Sequence, residues 1–315
     1  MTRILIIGGA GFLGGAIVKH YLNNNADGYE ITVLDNLTYE DDYLHPVDFI
    51  YADIRDRKKL KAIVEKFDVI VLLAAIVGDA ACQANPLTTV EINQDFPLWL
   101  MENFDGKIIF ASTCSVYGSN DDLLNEEGDI KPLSLYAKTK ANVECEFLKR
   151  KDTIIFRLGT LFGVAIRPRF DLFVNTLTAR AVINKHIRVF GGNQWRPNLH
   201  VMDAGRWFLN AALNDYKDGV YNLSAFNATI RSVGDIIYEK YPEIIYEVTS
   251  SKFEDNRNYK VTTEKAKTML NFKPELKLEN GVDEVAHIIN SGRIKNLLNK
   301  KYNNALMINK NEEEK

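Results

Sequence analysis

The stretch from Ile4 to Leu22 restricts the fold more than any other. Ile4, Leu5, Ile6 and Ile7 make a short, continuously apolar run that ends in glycine, the pattern of a strand buried on both faces of a parallel sheet. Gly8, Gly11 and Gly14 come next, with Phe12 and Leu13 between them, and then Ala16, Ile17, Val18 and Leu22 repeat at helical spacing. A strand, a glycine turn and a helix start in that order form an anion site. Backbone N–H groups there point outward, and the helix dipole favours negative charge. Glycines leave room for the tight turn and for the close approach of a pyrophosphate.

The next strand, Ile31 to Leu34, ends at Asp35, about twenty residues past the last glycine. A carboxylate at that place accepts hydrogen bonds from ribose hydroxyls and repels a 2′-phosphate. Its neighbours Asn36, Leu37 and Thr38 include no arginine, and Glu40, Asp41 and Asp42 add negative charge, so the cofactor reads as NAD rather than NADP. Asp53, with Ile54 beside it, stands after a third strand (Phe49 to Tyr51), placed to meet the adenine or to cap the helix over Lys58–Lys66. Val69 to Leu73 is a fourth strand, and the small Ala74 and Ala75 let a cofactor pass closely. A helix is expected through Val90 and Asn93 to Met101. Lys107 to Phe110 is a fifth strand, with the hydroxyls of Ser112, Thr113 and Ser115 just past its carboxyl end, where doubly wound sheets bind ligands. Thr153 to Arg157 is a sixth. Strands alternating with helices indicate an α/β fold built on a doubly wound parallel sheet.

Tyr136 precedes Lys140 by four residues, so on a helix both side chains share one face. A free phenol, with a pKa of about 10, is a poor base near neutrality. A neighbouring ammonium favours the phenolate, and a shift of roughly three units needs about 4 kcal/mol of differential stabilisation. A lysine supplies part of that, and a cationic nicotinamide ring can add to it.

Past Gly163 the rhythm changes. Arg167-Pro168-Arg169 is a basic segment broken by proline, Phe170 to Val182 reads as a helix, and Phe190 to Arg196 as a turn within a hairpin. Val220 to Leu223 reads as a strand, Ser232 as the start of a capped helix, and Tyr246 to Thr249 as a further strand ahead of Arg257. Arg167, Arg169, Arg196 and Arg257 are scattered in the sequence, but their loops can converge, and guanidinium forks suit a pyrophosphate. Asn299 to Lys315, rich in Asn, Lys and Glu, is expected to fray at its end. The division expected is a dinucleotide-binding domain over 1–164, with a segment returning near 200–223, and a smaller mixed α/β C-terminal substrate domain over 165–315. The net charge of −3 across 315 residues gives no broad basic field for nucleic acid and no polybasic membrane patch. Cys82, Cys114 and Cys145 lack metal-ligand spacing and read as free thiols, and the first apolar run is too short for a signal peptide or a span. A cytosolic protein without a metal is expected.

Together these features resemble the extended short-chain dehydrogenase/reductase family, with its Rossmann-like sheet, and within it the nucleotide-sugar epimerases and dehydratases. Gly8-x-x-Gly11-x-x-Gly14, Asp35, Leu73-Ala74-Ala75, Asn93, Thr113, Val116-Tyr117-Gly118, Tyr136-x-x-x-Lys140, Arg157 and Arg196-Pro-Asn-Leu-His-Val201 fall in the family's order. So do Asp255-Asn256-Arg257, Leu270-Asn271-Phe272 and Gly281.

The resemblance implies that Tyr136 takes the proton from a sugar hydroxyl, usually at C4, while the C4 hydride moves to NAD. Lys140 then lowers the tyrosine pKa and holds the nicotinamide ribose, and Thr113 hydrogen-bonds the same sugar oxygen. It also implies a nucleoside-diphosphate sugar as substrate, with Thr113, Ser115, Thr160 and the four arginines around it, and a homodimer formed through the Tyr136 helix and the helix from Val90. Family dehydratases and the related decarboxylase carry an acidic residue within two positions after the threonine. Here Cys114 and Ser115 stand there, which disfavours dehydration and leaves 4-epimerase, 4-dehydrogenase or ketoreductase chemistry open. A regulatory NAD-binding module would not need Thr113, Tyr136 and Lys140 together. Thr160 replaces the family's usual asparagine, and Arg167 to Leu172 departs from the usual epimerase sequence.

Overall fold

The computed structural model describes residues 1–24, 28–40, 43, 45–250 and 257–313. Asp41, Asp42, Asp255 and Asn256 lie outside the described residues. A seven-stranded sheet has the spatial order Gly219–Leu223, Thr153–Leu158, Lys107–Thr113, Val69–Leu72, Thr2–Ile7, Tyr29–Asp35, Asp48–Tyr51, and each neighbouring pair is parallel. Strand order reverses between Thr2–Ile7 and Val69–Leu72, so a crevice opens at their carboxyl ends.

The apolar runs are continuous because the sheet is covered on both faces. Ile4 and Ile6 pack into one core with Ile17, Val33 and Phe208. Leu5 and Ile7 turn to the other, with Leu60, Phe110 and Phe147. All four are fully buried, and each contributes about 1.5–3 kcal/mol. Helices Phe12–Asn24 and Val201–Leu213 cover the first face. Helices Phe96–Asn103 and Leu135–Phe147 cover the second.

Several local expectations are corrected. The helix expected from Val90 to Met101 is Pro86–Val90, a π-helical turn over Glu91–Asp95, and then Phe96–Asn103. Pro97 has no N–H to return to the turn beneath it, and a wider turn takes up the break. Phe190 to Arg196 does not close a hairpin: His186–Phe190 pairs with Ile245–Thr249, whereas Trp195–His200 pairs with Phe226–Thr229 and Thr160–Phe162. Thr229, rather than Ser232, is the N-cap of Ile230–Lys240, and the two residues exchange bonds as a capping box. The helix after Asp53 is capped by Asp56, which accepts from the Lys59 N–H. Asn258–Val261 pairs in parallel with Ser119–Leu124, which swings the chain after Arg257 over the end of the fifth strand. Among the described residues, no helix is long and apolar enough to cross a membrane.

Candidate active site

The strand ends open into a cleft of about 1390 Å³. At its floor, Gly8 has φ of +86°, and a Cβ there would lie 2.5 Å from the Ala74 nitrogen. Any other residue would be strained and would push apart the two strand ends that frame the crevice. Gly14 packs against Gly9 so closely that a Cβ would overlap its backbone, which seats the helix start beside the turn. Gly11, Phe12, Leu13, Leu73, Ala74 and Ala75 line the cleft. Asp35 lines it too, accepting from the Ala10 N–H at 3.0 Å and the Leu37 N–H at 2.8 Å. Burial pushes this carboxyl above its usual range, against those backbone bonds. Asn36 and Ile54 line the same wall. Asn36 donates to Asp53 at 3.0 Å, and Asp53 is paired with Arg55 at 2.8 Å, which holds its carboxyl well below the usual range. Asp53 and Asn93 stand behind the lining. The Asn93 amide is fully buried, accepting from the Ile76 N–H and donating to the Ile76 carbonyl, both at 2.8 Å. It fixes the loop after the fourth strand, whose residues do line the cleft.

Thr113, Ser115, Tyr136 and Lys140 meet at the next stretch of wall. The Thr113 hydroxyl oxygen accepts from the Ser115 N–H at 3.1 Å, which leaves its proton to donate. Ser134 caps the Tyr136 helix through the Ala137 N–H. The Lys140 ammonium donates to the Ala111 carbonyl at 2.8 Å and sits 4.6 Å from the centre of the Phe110 ring. Burial pushes its pKa down to about 8. Burial pushes the Tyr136 phenol upward, and the Arg169 guanidinium is the cation that opposes this. One of the lysine's three N–H donors is directed at the strand end. Behind the helix, Arg157 grips the Glu144 carboxylate at 2.7 and 2.9 Å, donates to the Tyr117 hydroxyl at 2.8 Å, and is buried with its partner. Ser112 also donates to Glu144.

A model of the NAD-dependent epimerase/dehydratase family matches residues 4–224. The chain belongs to that family. It is 30% identical over 306 residues to a putative UDP-glucose 4-epimerase of Methanocaldococcus jannaschii, covering 90% of this chain and 97% of the relative. It is 28% identical over 317 residues to a UDP-glucuronate 4-epimerase of Thermodesulfobacterium geofontis, covering 90% and 94%. Among solved structures, Pal from Bacillus thuringiensis is similar with a TM-score of 0.80 and 26% identity, covering 92% of this chain and 99% of that one.

The cofactor of this epimerase/dehydratase family member is NAD, and the residues present fit it. The glycine turn leaves a cradle that side chains would fill, and the first N–H groups of Phe12–Asn24 lack intrahelical partners. Asp35, lining the cleft at the end of the second strand, would supply acceptors for ribose hydroxyls.

The four sequence-distant arginines all line the cleft, as does Thr160. Arg169 is paired with Asp171 at 2.9 Å, and Arg257 with Asp79 at 3.1 Å. Arg196 stands 5.5 Å from the Tyr259 ring centre and donates to the carbonyls of Trp195 and Arg257. Arg167 is only 2% exposed and lies 4.3 Å over the Tyr39 ring. Its guanidinium donates to the Lys301 carbonyl at 2.8 Å and to the Asn304 side-chain oxygen at 2.9 Å. Sequence reasoning missed Asp79, Tyr259 and Asn304. Tyr259 lies two residues past Arg257 and bonds the Ser115 hydroxyl at 3.0 Å; the alternation of a strand was its available signal. Asn304 had none, because its composition matches a solvated tail.

Proposed function

We propose that this family member is a 4-epimerase of a nucleoside-diphosphate sugar. Tyr136 acts as base at the sugar hydroxyl, and Thr113 shares that oxygen with its free proton. The arginines receive the diphosphate, Arg196 and Arg257 among them. NAD, when bound, would supply the acceptor for the C4 hydrogen and return it. The observation that carries the reading is the state of the two residues after Thr113. Cys114 is fully buried with its thiol donating to the Arg157 carbonyl at 3.2 Å, and Ser115 is tied to Tyr259, so no carboxylate stands where elimination needs one. Asp79, a carboxylate in the same cleft, is on a separate element from Thr113 and pairs with Arg257 through one of its oxygens. The relatives named as 4-epimerases support the same direction.

The test is to incubate the protein with NAD and a panel of UDP-, dTDP- and ADP-sugars, then to separate and weigh the products. A new species of unchanged mass is expected. Loss of water would identify a dehydratase instead, and loss of two hydrogens with stoichiometric NADH a dehydrogenase.

A further inference from the structure

The stretch whose end is expected to fray is built into the fold through residue 308. Lys300–Tyr302 forms a short turn and Asn304–Glu313 a helix. Asn304 is 3% exposed and ties three places together. Its backbone N–H donates to Asp171 at 3.1 Å, its side-chain oxygen accepts from Arg167 at 2.9 Å, and its side-chain amide donates to the Val77 carbonyl at 3.1 Å. The Lys301 carbonyl accepts from Arg167 as well, and the Tyr302 carbonyl from the Phe170 N–H at 2.9 Å. Arg167, Phe170 and Asp171 belong to one rim of the cleft, whereas Val77 belongs to the loop beyond the fourth strand on the other. Ile308 is buried against Ile76, Ala81 and Cys82, in the cluster that Ala305 and Tyr136 also join. Asn303, Asn304, Ala305 and Ile308 all face the cleft. The segment therefore bridges the two rims, and whatever lies between them is roofed by it.

We propose that Asn304 is a positioning residue of the reaction and that Lys300–Ile308 is a wall of the reaction chamber. Asn304 holds Arg167 and the Val77 loop at fixed separation, so Arg167 keeps its orientation although it is ion-paired with no carboxylate among the described residues. A roof of this kind retains reduced cofactor and oxidised sugar together until the hydrogen returns. That consequence rests on the epimerase reading, whereas the wall itself does not.

The experiment uses the full chain with Asn304→Ala, and with Leu298→Ala, an exposed position, as control. The dissociation rate of NADH is read by its fluorescence after dilution, beside the thermal midpoint. Asn304→Ala is expected to release NADH roughly tenfold faster, the equivalent of about one net hydrogen bond, with the control unchanged. Ala305→Trp, which leaves the Arg167 contacts in place, is expected to raise KM for the nucleotide sugar more than it lowers kcat. If Asn304→Ala proves unstable, this second variant carries the test. A folded Asn304→Ala with wild-type NADH release, or Ala305→Trp with unchanged KM, would overturn the inference. NADH release does not depend on which product forms, and KM is read on whichever nucleotide sugar turns over, so failure of the epimerase reading appears in the product and failure of this one in the release rate or KM.

Discussion

At Asp35 one side chain serves two ends. It is placed where it would offer ribose acceptors to the cofactor, and it ties the glycine turn to the second strand through Ala10 and Leu37. Asp35→Ala combined with Asn36→Arg is expected to relax the preference for NAD over NADP, read by calorimetry. It is also expected to cost about 1–3 kcal/mol of stability from the orphaned N–H groups. The sequence neighbours of Asp35 contain no arginine, yet the fold brings Arg167 over Tyr39 from far along the chain; long-range placement of this kind leaves no local signal. Lys140 makes a second prediction. Its folded pKa of about 8 lies below the ordinary 10.5, so between those pH values the unfolded chain binds a proton that the folded chain does not. Stability from this group therefore rises with pH through that window, by on the order of 3 kcal/mol. Chemical denaturation of the cofactor-free protein across that window should show the rise relative to Lys140→Met; a flat difference would refute it.

At the scale of elements, the strands and their glycine turn were legible because burial on both faces writes itself as continuous apolar runs. The π-helical turn was not, since Asn93 and Pro97 sit in a pattern that also suits an ordinary helix. The small sheets were barely legible: Tyr246 to Thr249 shows as a strand and Phe190 to Arg196 as a turn, but the remaining strands and their pairing depend on loops such as those that bring Asn258–Val261 to Ser119–Leu124. Arg157 stands out in the sequence only by its place in the family's order, and the structure gives its work. It anchors Glu144, two turns beyond Tyr136 on the same helix, and so fixes the helix against the strand end that carries Thr113. Glu144→Ala leaves that guanidinium buried without its carboxylate, at a cost of about 3–5 kcal/mol. A matching fall in the urea midpoint is expected, and a loss below about 1 kcal/mol would show the pair to be dispensable.

At the scale of the whole molecule, Tyr136 and Thr113 come from separate elements, the arginines from two loops and the strand Trp195–His200, and Asn304 from the far end of the chain, all onto one crevice. The helices Phe96–Asn103 and Leu135–Phe147 lie side by side on one face of the sheet, and Asn142 of the second donates at 2.8 Å to Gln94 in the π-helical turn that precedes the first. Light scattering at micromolar concentration is expected to return twice the chain mass through that face, and a monomeric mass would contradict it. The central claim, oxidation and return at C4 with Tyr136 as base, is tested most directly by the fate of deuterium placed at C4 of the nucleotide sugar that turns over. Deuterium is expected to be retained at C4 in a C4-inverted product, and Tyr136→Phe to lower turnover by roughly 10²–10⁴ while NAD binding stays near wild type. Deuterium lost to solvent, or full turnover in Tyr136→Phe, would contradict it.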